Sequence, residues 1–138
     1  MNAIGIICEY NPFHLGHARM LEGLRRQYDA PLVCAMSGNF VQRGDAAVAH
    51  KHARAEMAVR CGADLVLELP TPWAMASAER FAAGGVALLT STGVVSHLAF
   101  GSECGDTAAL ARAAGALEDA AFQTALKAEL TKGDSFAA

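Results

Sequence analysis

Mostly apolar runs alternate with amphipathic stretches along this chain, and the two spacings predict different elements. Ala3 to Cys8, Pro31 to Met36, Ala63 to Leu69 and His97 to Phe100 have strand length and carry apolar residues on both alternating positions. Such runs fit strands buried between two layers. Gly16 to Tyr28, His50 to Cys61 and Ser77 to Thr92 repeat at helical spacing, with Met20, Leu21 and Leu24 on one face and Gly62 as a stop. Gly84 and Gly85 leave room for close helix packing. Ser37 to Ala49, which holds Gly38, Asn39 and Gly44, predicts a long loop. From Asp106 onward Ala, Leu and Glu dominate, so one or two final helices follow. Strands separated by helices predict an α/β fold, a doubly wound parallel sheet.

That topology places chemistry. Ligands of open parallel sheets bind beyond the carboxyl ends of the strands, near the point where strand order reverses. Three polar clusters follow predicted strands: Glu9 to His17, Ser37 to Gly44 and Gly101 to Asp106. In the first, Asn11 and Pro12 turn the chain out of the strand. His14 and His17 then fall at the start of a helix, where free N–H groups and the helix dipole favour an anion such as phosphate. Gly16 removes a side chain where a nucleotide would approach the backbone. Two imidazoles at this spacing can donate to phosphoryl oxygens as charge builds during displacement.

Plainer roles compete with these. The two histidines could only cap the helix, or bind zinc with Cys8 or Cys34, although strand cysteines more often serve as buried hydrophobes. Arg43 could neutralise developing charge or be solvated surface. Lys51 and Arg54 are cations for a polyphosphate or a solvated helix face. Glu103 and Asp106 could supply hard oxygen ligands for Mg²⁺, or a charge and cap for the final helices. Glu68 is a functional carboxylate or the partner of a nearby Arg, and Trp73 and Phe81 read as core before they read as base-stacking rings.

Composition narrows the picture further. The chain has 138 residues, 53% hydrophobic and 18% charged, enough for one domain around one core and incompatible with a disordered chain. A net charge of -3 gives no strong positive field, so RNA would need a local basic patch. Cys8, Cys34, Cys61 and Cys104 lie far apart without a CxxC pair, which predicts reduced thiols and no disulfide framework. Ala82 to Val95 comes nearest to a membrane span, yet Gly84, Gly85, Thr90, Ser91, Thr92 and Gly93 interrupt it. A soluble, cytoplasmic protein with no membrane partner is the expectation.

The segment His14-Leu15-Gly16-His17 carries the HxGH signature of the nucleotidyltransferase superfamily, relatives of class I aminoacyl-tRNA synthetases. The longer strings EYNPFHLGH, MSGNFVQRGD, RAEMA, DLVLELP, SAERFA and FGSE, in that order over nearly residues 3 to 106, resemble the tRNA(Met) cytidine acetate ligase family. The resemblance implies a Rossmann-like HxGH fold and ATP-dependent activation of acetate to acetyladenylate. It also implies N4-acetylation of the wobble cytidine of elongator methionine tRNA. By the same resemblance ATP lies along Ile7, Glu9, Tyr10, Asn11, Pro12, Phe13, Gly16 and Met20, with His14 and His17 at the phosphates and Gly101 close to the nucleotide. Ser37, Gly38, Asn39, Gln42 and Arg43 match the family's second loop, where Asn39 and Arg43 would position substrate or phosphate. Mg²⁺ would accompany the triphosphate.

Members of that family run to several hundred residues, and their second phosphate-binding motif is not seen before Ala138. Residues 1–138 are therefore expected to form a nucleotidyltransferase-like ATP-binding domain, shortened at the C-terminal side relative to the family. Two other functions remain open at this point: a small-molecule adenylyltransferase joining AMP to a phosphate ester, and a non-catalytic nucleotide- or RNA-binding module.

Overall fold

Four parallel strands, β1 (Ala3–Cys8), β2 (Leu32–Ser37), β3 (Leu65–Leu69) and β4 (Val95–Leu98), form one sheet in the order β3-β2-β1-β4 in the computed structural model, which describes residues 2–131. The chain steps outward from β1 through β2 to β3 and then returns to the opposite side of β1. Strand order thus reverses between β1 and β4. Register aligns Ile6 with Cys34 and Cys8 with Met36, and then Cys34 with Val66 and Met36 with Glu68.

The central strands are apolar, β1 over its whole length and β2 from Leu32 to Met36, because both of their faces are covered, whereas the edge strands carry Glu68 in β3 and Ser96 and His97 in β4. On one face α1 (Leu15–Gln27) and α2 (Lys51–Arg60) bring Leu21 and Ala58 against Ile4, Ile6, Cys34 and Met36. On the other, α4 (Ala78–Ser91) sets Leu89 against Ala3, Val33 and Ala35. Before it, α3 (Thr71–Ala74) is a single turn that no periodicity announced, since four residues are too few to show one. Gly84 and Gly85 are bare for packing, as expected. A Cβ on Gly84 would lie 2.6 Å from Trp73, and one on Gly85 2.7 Å from Ile7. Gly62 ends α2 at φ +114, a backbone region where glycine meets no steric penalty.

One strand lies two residues earlier than the apolar count predicts. β4 runs from Val95 and not from His97, because Ala3 and Gly5 of the buried β1 set its pairing, while Phe100 is left 63% exposed. The expected single domain also meets a chain that falls into two compact units, one ending at Phe100 and one starting at Gly101. Met1 and residues 132–138 of that expected span lie outside the described residues. The first unit holds the sheet and its core. In the second, α5 (Thr107–Leu117) and α6 (Ala120–Leu130) bury no residue fully. Among the described residues no helix is long and apolar enough to cross a membrane.

Candidate functional site

Beyond Cys8 the chain leaves β1 through Tyr10, at φ 47, and a cis Asn11–Pro12 peptide, and enters α1 at His14. Tyr10 is only 4% exposed. Its ring stands edge-on to Phe13 at 4.8 Å and lies 4.8 Å from the ring of His17, and its hydroxyl meets Cys34 Sγ at 3.6 Å. Burial pushes the Tyr10 hydroxyl pKa far above its ordinary value, so the phenol stays protonated. Tyr10 is thus the floor under the histidines, with its polar end directed into the core.

The two imidazoles close a reciprocal helix cap. His14 Nδ1 accepts from Gly16 N at 3.1 Å, and His17 Nδ1 accepts from His14 N at 3.2 Å. This is the logic of a capping box with ring nitrogens in place of the usual oxygens. An Nδ1 that accepts from a backbone N–H must carry a lone pair, so the proton of each neutral ring sits on Nε2. Neither Nε2 has a protein partner among the described residues. The rings stack at 3.6 Å with planes 23° apart, which disfavours a second positive charge. Burial and then the neighbouring His14 hold the His17 pKa below 6.5. No acidic residue occupies the first turn of α1. The corner therefore offers two Nε2–H donors at the positive end of a helix.

Gly16 serves these rings before any ligand. A Cβ there would come within 2.9 Å of His14 Cε1, so the missing side chain makes room for the imidazole. The close neighbour of Gly16 in the structure is His14.

Several residues expected at the nucleotide use their side-chain oxygens to stitch loops together. Glu9 Oε1 accepts from Gln42 N at 2.8 Å, Asn11 Oδ1 from Val48 N at 2.7 Å and Asn39 Oδ1 from Lys51 N at 3.3 Å. Ile7 lies beneath Gly85, and Met20 packs on the α1 side of the core. Pro12 is exposed at the turn. Ser37 is fully buried with its Oγ unpaired. Arg43 is exposed at φ 65, an uncommon conformation for a non-glycine residue, and among the described residues it enters no ion pair. Its guanidinium remains available to an anion.

Arg54 corrects the sequence reading most sharply. It is neither a phosphate cation nor a solvated residue but is 0% exposed. Its Nε donates to Ala49 O at 3.0 Å, one terminal nitrogen donates to Glu9 O, and the other donates to Ser37 O at 3.1 Å and to Gly38 O. One buried cation thus ties the loop after β1 to the loop after β2. The signal that could have found it is helical spacing, since Arg54 stands four residues before the buried Ala58.

The other polar residues singled out in the sequence take the following places. Cys8 Sγ donates to Ala35 O at 3.7 Å and Cys34 is buried, so both thiols serve the core. Among the described residues no group of three or more His, Cys, Asp or Glu is placed to hold a metal. Asp106 Oδ1 accepts from Ala109 N at 2.9 Å and caps α5. Gly101 and Glu103 are exposed in the second compact unit. Glu68 pairs with Lys51 at 2.6 Å and also lies within electrostatic reach of Arg54.

Comparison with known proteins matches this geometry to a family. The family described as HIGH Nucleotidyl Transferase matches residues 1–138. The chain is 52% identical over 139 residues to a tRNA(Met) cytidine acetate ligase of Syntrophomonas wolfei, covering 99% of this chain and 33% of that relative. It is 48% identical over 141 residues to the protein of the same name from Acetivibrio thermocellus, covering 100% and 34%. The crystal structure of Thermotoga maritima TmcAL bound with alpha-thio ATP superposes at a TM-score of 0.89 with 46% identity, covering 99% of this chain and 34% of that one. The chain spans about a third of the length of these relatives.

Proposed function

The chain belongs to the HIGH nucleotidyl transferase family, and on that premise we propose that it binds ATP at the α1 N-terminus and activates acetate to acetyladenylate for transfer to the N4 amine of a tRNA(Met) cytidine. One observation carries the reading. The α1 cap places two Nε2–H donors, held in one tautomer by backbone N–H groups, beside the strand-order reversal where a phosphate ligand is expected. The Thermotoga relative, crystallised with alpha-thio ATP, supports the choice of nucleotide.

In this reading an acetate oxygen attacks the α-phosphorus in line and pyrophosphate leaves. The cytidine amine then attacks the acetyl carbon, AMP leaves, and the amine loses a proton. The protein supplies no nucleophile. His14 and His17 donate to phosphoryl oxygens as charge builds, Arg43 adds a mobile cation, and Arg54 holds the two loops at fixed spacing. Fixed donors need no reorganisation when the charge develops. A magnesium ion would ride on the triphosphate oxygens, as hard cations do. Glu9 offers it only one uncommitted oxygen, because Oε1 is bonded to Gln42 N.

Acetate-dependent ATP–pyrophosphate exchange tests the reading. His14→Ala and His17→Ala should each lower exchange about a hundredfold, the usual cost of removing one such donor. Exchange that is unchanged in both variants would remove the pair from the mechanism. Exchange driven by a phosphate ester and indifferent to acetate would assign the chain to the small-molecule adenylyltransferases instead.

A further inference from the structure

A second cleft opens at the carboxyl ends of β2 and β3, between the sheet and α2. Its volume is about 140 Å³ and its walls are Met36, Ala55 and Val66, with Lys51, His52 and Glu68 among its polar lining. That is well below the roughly 300–1,000 Å³ of pockets that enclose whole ligands of drug size, so it suits one small ring. Lys51 Nζ and Glu68 Oε2 stand 2.6 Å apart with side chains 28% and 46% exposed. A half-exposed ion pair contributes little to stability. Nevertheless the fold makes room for this one: a Cβ on Gly38 would overlap Glu68 Oε1.

The pair fixes the kind of ligand. A fixed cationic donor beside a fixed anionic acceptor complements a flat molecule that presents an acceptor beside a donor. A carboxylate ligand fits poorly, because Glu68 would repel it and already occupies the Lys51 charge. The apolar walls match the faces of an aromatic ring, and His52 lies at the rim with its own flat ring. Strands lie roughly 5 Å apart, so the cleft opens only one or two strand spacings, about 5–10 Å, from the end of β1. Cytosine and adenine both show an amine beside an unprotonated ring nitrogen. The small volume favours the single ring.

We propose that this cleft is an acceptor subsite for the Watson–Crick edge of a cytosine base, with N4 toward Glu68 and N3 toward Lys51. The proposal rests on the function given above and adds to it the place where the acceptor is read. Its mouth would hold the amine on the same carboxyl edge of the sheet as the corner assigned to the nucleotide, about one or two strand spacings from the end of β1.

Methyl NMR of the 138-residue chain titrated with cytidine tests it. Cytidine should shift the Met36, Ala55 and Val66 methyl signals along one saturable curve, and N4,N4-dimethylcytidine, which lacks the donor, should bind at least tenfold more weakly. Lys51→Met and Glu68→Met should each weaken cytidine at least tenfold and leave affinity for a nonhydrolysable ATP analogue within twofold. Equal affinity for cytidine and its dimethyl form would overturn the proposal, and that comparison needs no substitution that could harm folding. So would competition between the ATP analogue and cytidine at the three methyls, which would make this the adenine pocket, or shifts produced by acetate in place of cytidine. If the analogue fails to bind anywhere while cytidine behaves as stated, the nucleotide reading fails and the subsite stands.

Discussion

Four helices of this chain carry side-chain caps, and the caps are of two chemically opposite kinds. α1 and α2, which follow β1 and β2, are capped by imidazole: His14 Nδ1 accepts from Gly16 N, and His50 Nδ1 accepts from His52 N at 3.4 Å. α5 and α6, in the second compact unit, are capped by carboxylate, through Asp106 Oδ1 to Ala109 N and Asp119 Oδ1 to Ala121 N and Phe122 N. All four caps satisfy orphan backbone donors. Only the first kind leaves the positive end of the dipole uncancelled, and neither α1 nor α2 has an acidic residue in its first turn. A carboxylate is the better cap and the worse host for phosphate. Where this fold faces the carboxyl edge of the sheet it accepts a weaker cap and keeps the corner open to anions.

That contrast can be broken most severely from inside, through Arg54. Arg54→Met keeps much of the apolar stem but strips hydrogen bonds from the carbonyls of Glu9, Ser37, Gly38 and Ala49. The expected loss is about 3 kcal/mol of unfolding free energy in urea, with the histidine ring resonances of the capped corner shifted, because buried carbonyls left unpaired are expensive. A midpoint equal to that of the native chain would show that the loops are held by something else.

His14→Asp sharpens the contrast at its centre by putting an α5-type cap on α1. Thermal stability should hold or rise, since Asp caps well. ATP should bind at least about tenfold more weakly, roughly 1.4 kcal/mol, read as a diminished shift of melting temperature on adding nucleotide. Retained affinity would mean that cap charge does not govern this corner.

The smallest effect is one of acidity. The folded chain holds the His17 pKa below 6.5, by burial and then by His14, so the unfolded chain takes up the proton first. Stability present above about pH 6.5 is therefore lost as pH falls through the folded value. Protonation would also turn Nδ1 from acceptor to donor and abolish the bond from His14 N. Melting temperature should drop between about pH 7.5 and about pH 5.5, more in the native chain than in His17→Gln.

Much of this was legible from residue order. β1 matches its apolar run end for end, the helix after it begins at the HxGH segment, and the three polar clusters follow β2, β1 and β4. These are local facts, readable from period and turn chemistry. Capping by His14 and His17 was among the readings the sequence left open, but the buried role of Arg54 and the room Gly16 makes for an imidazole were not legible. Each depends on where a side chain finds its partner. Arg54 reaches Glu9 across 45 positions in the chain, and no window of neighbouring residues contains that contact.

Residue order by itself settled the kind of fold and the placing of polar clusters after the strands, because strand and helix periods and the His-x-Gly-His spacing are properties of adjacent positions. Tertiary structure alone decided which polar groups stay free. Burial in a packed interior obliges each donor and acceptor to find a partner. Arg54 met that demand and Ser37 Oγ did not, whereas Asn11 and Asn39 make their loop bonds near the surface; among the described residues the two Nε2 atoms and the Arg43 guanidinium have no protein partner.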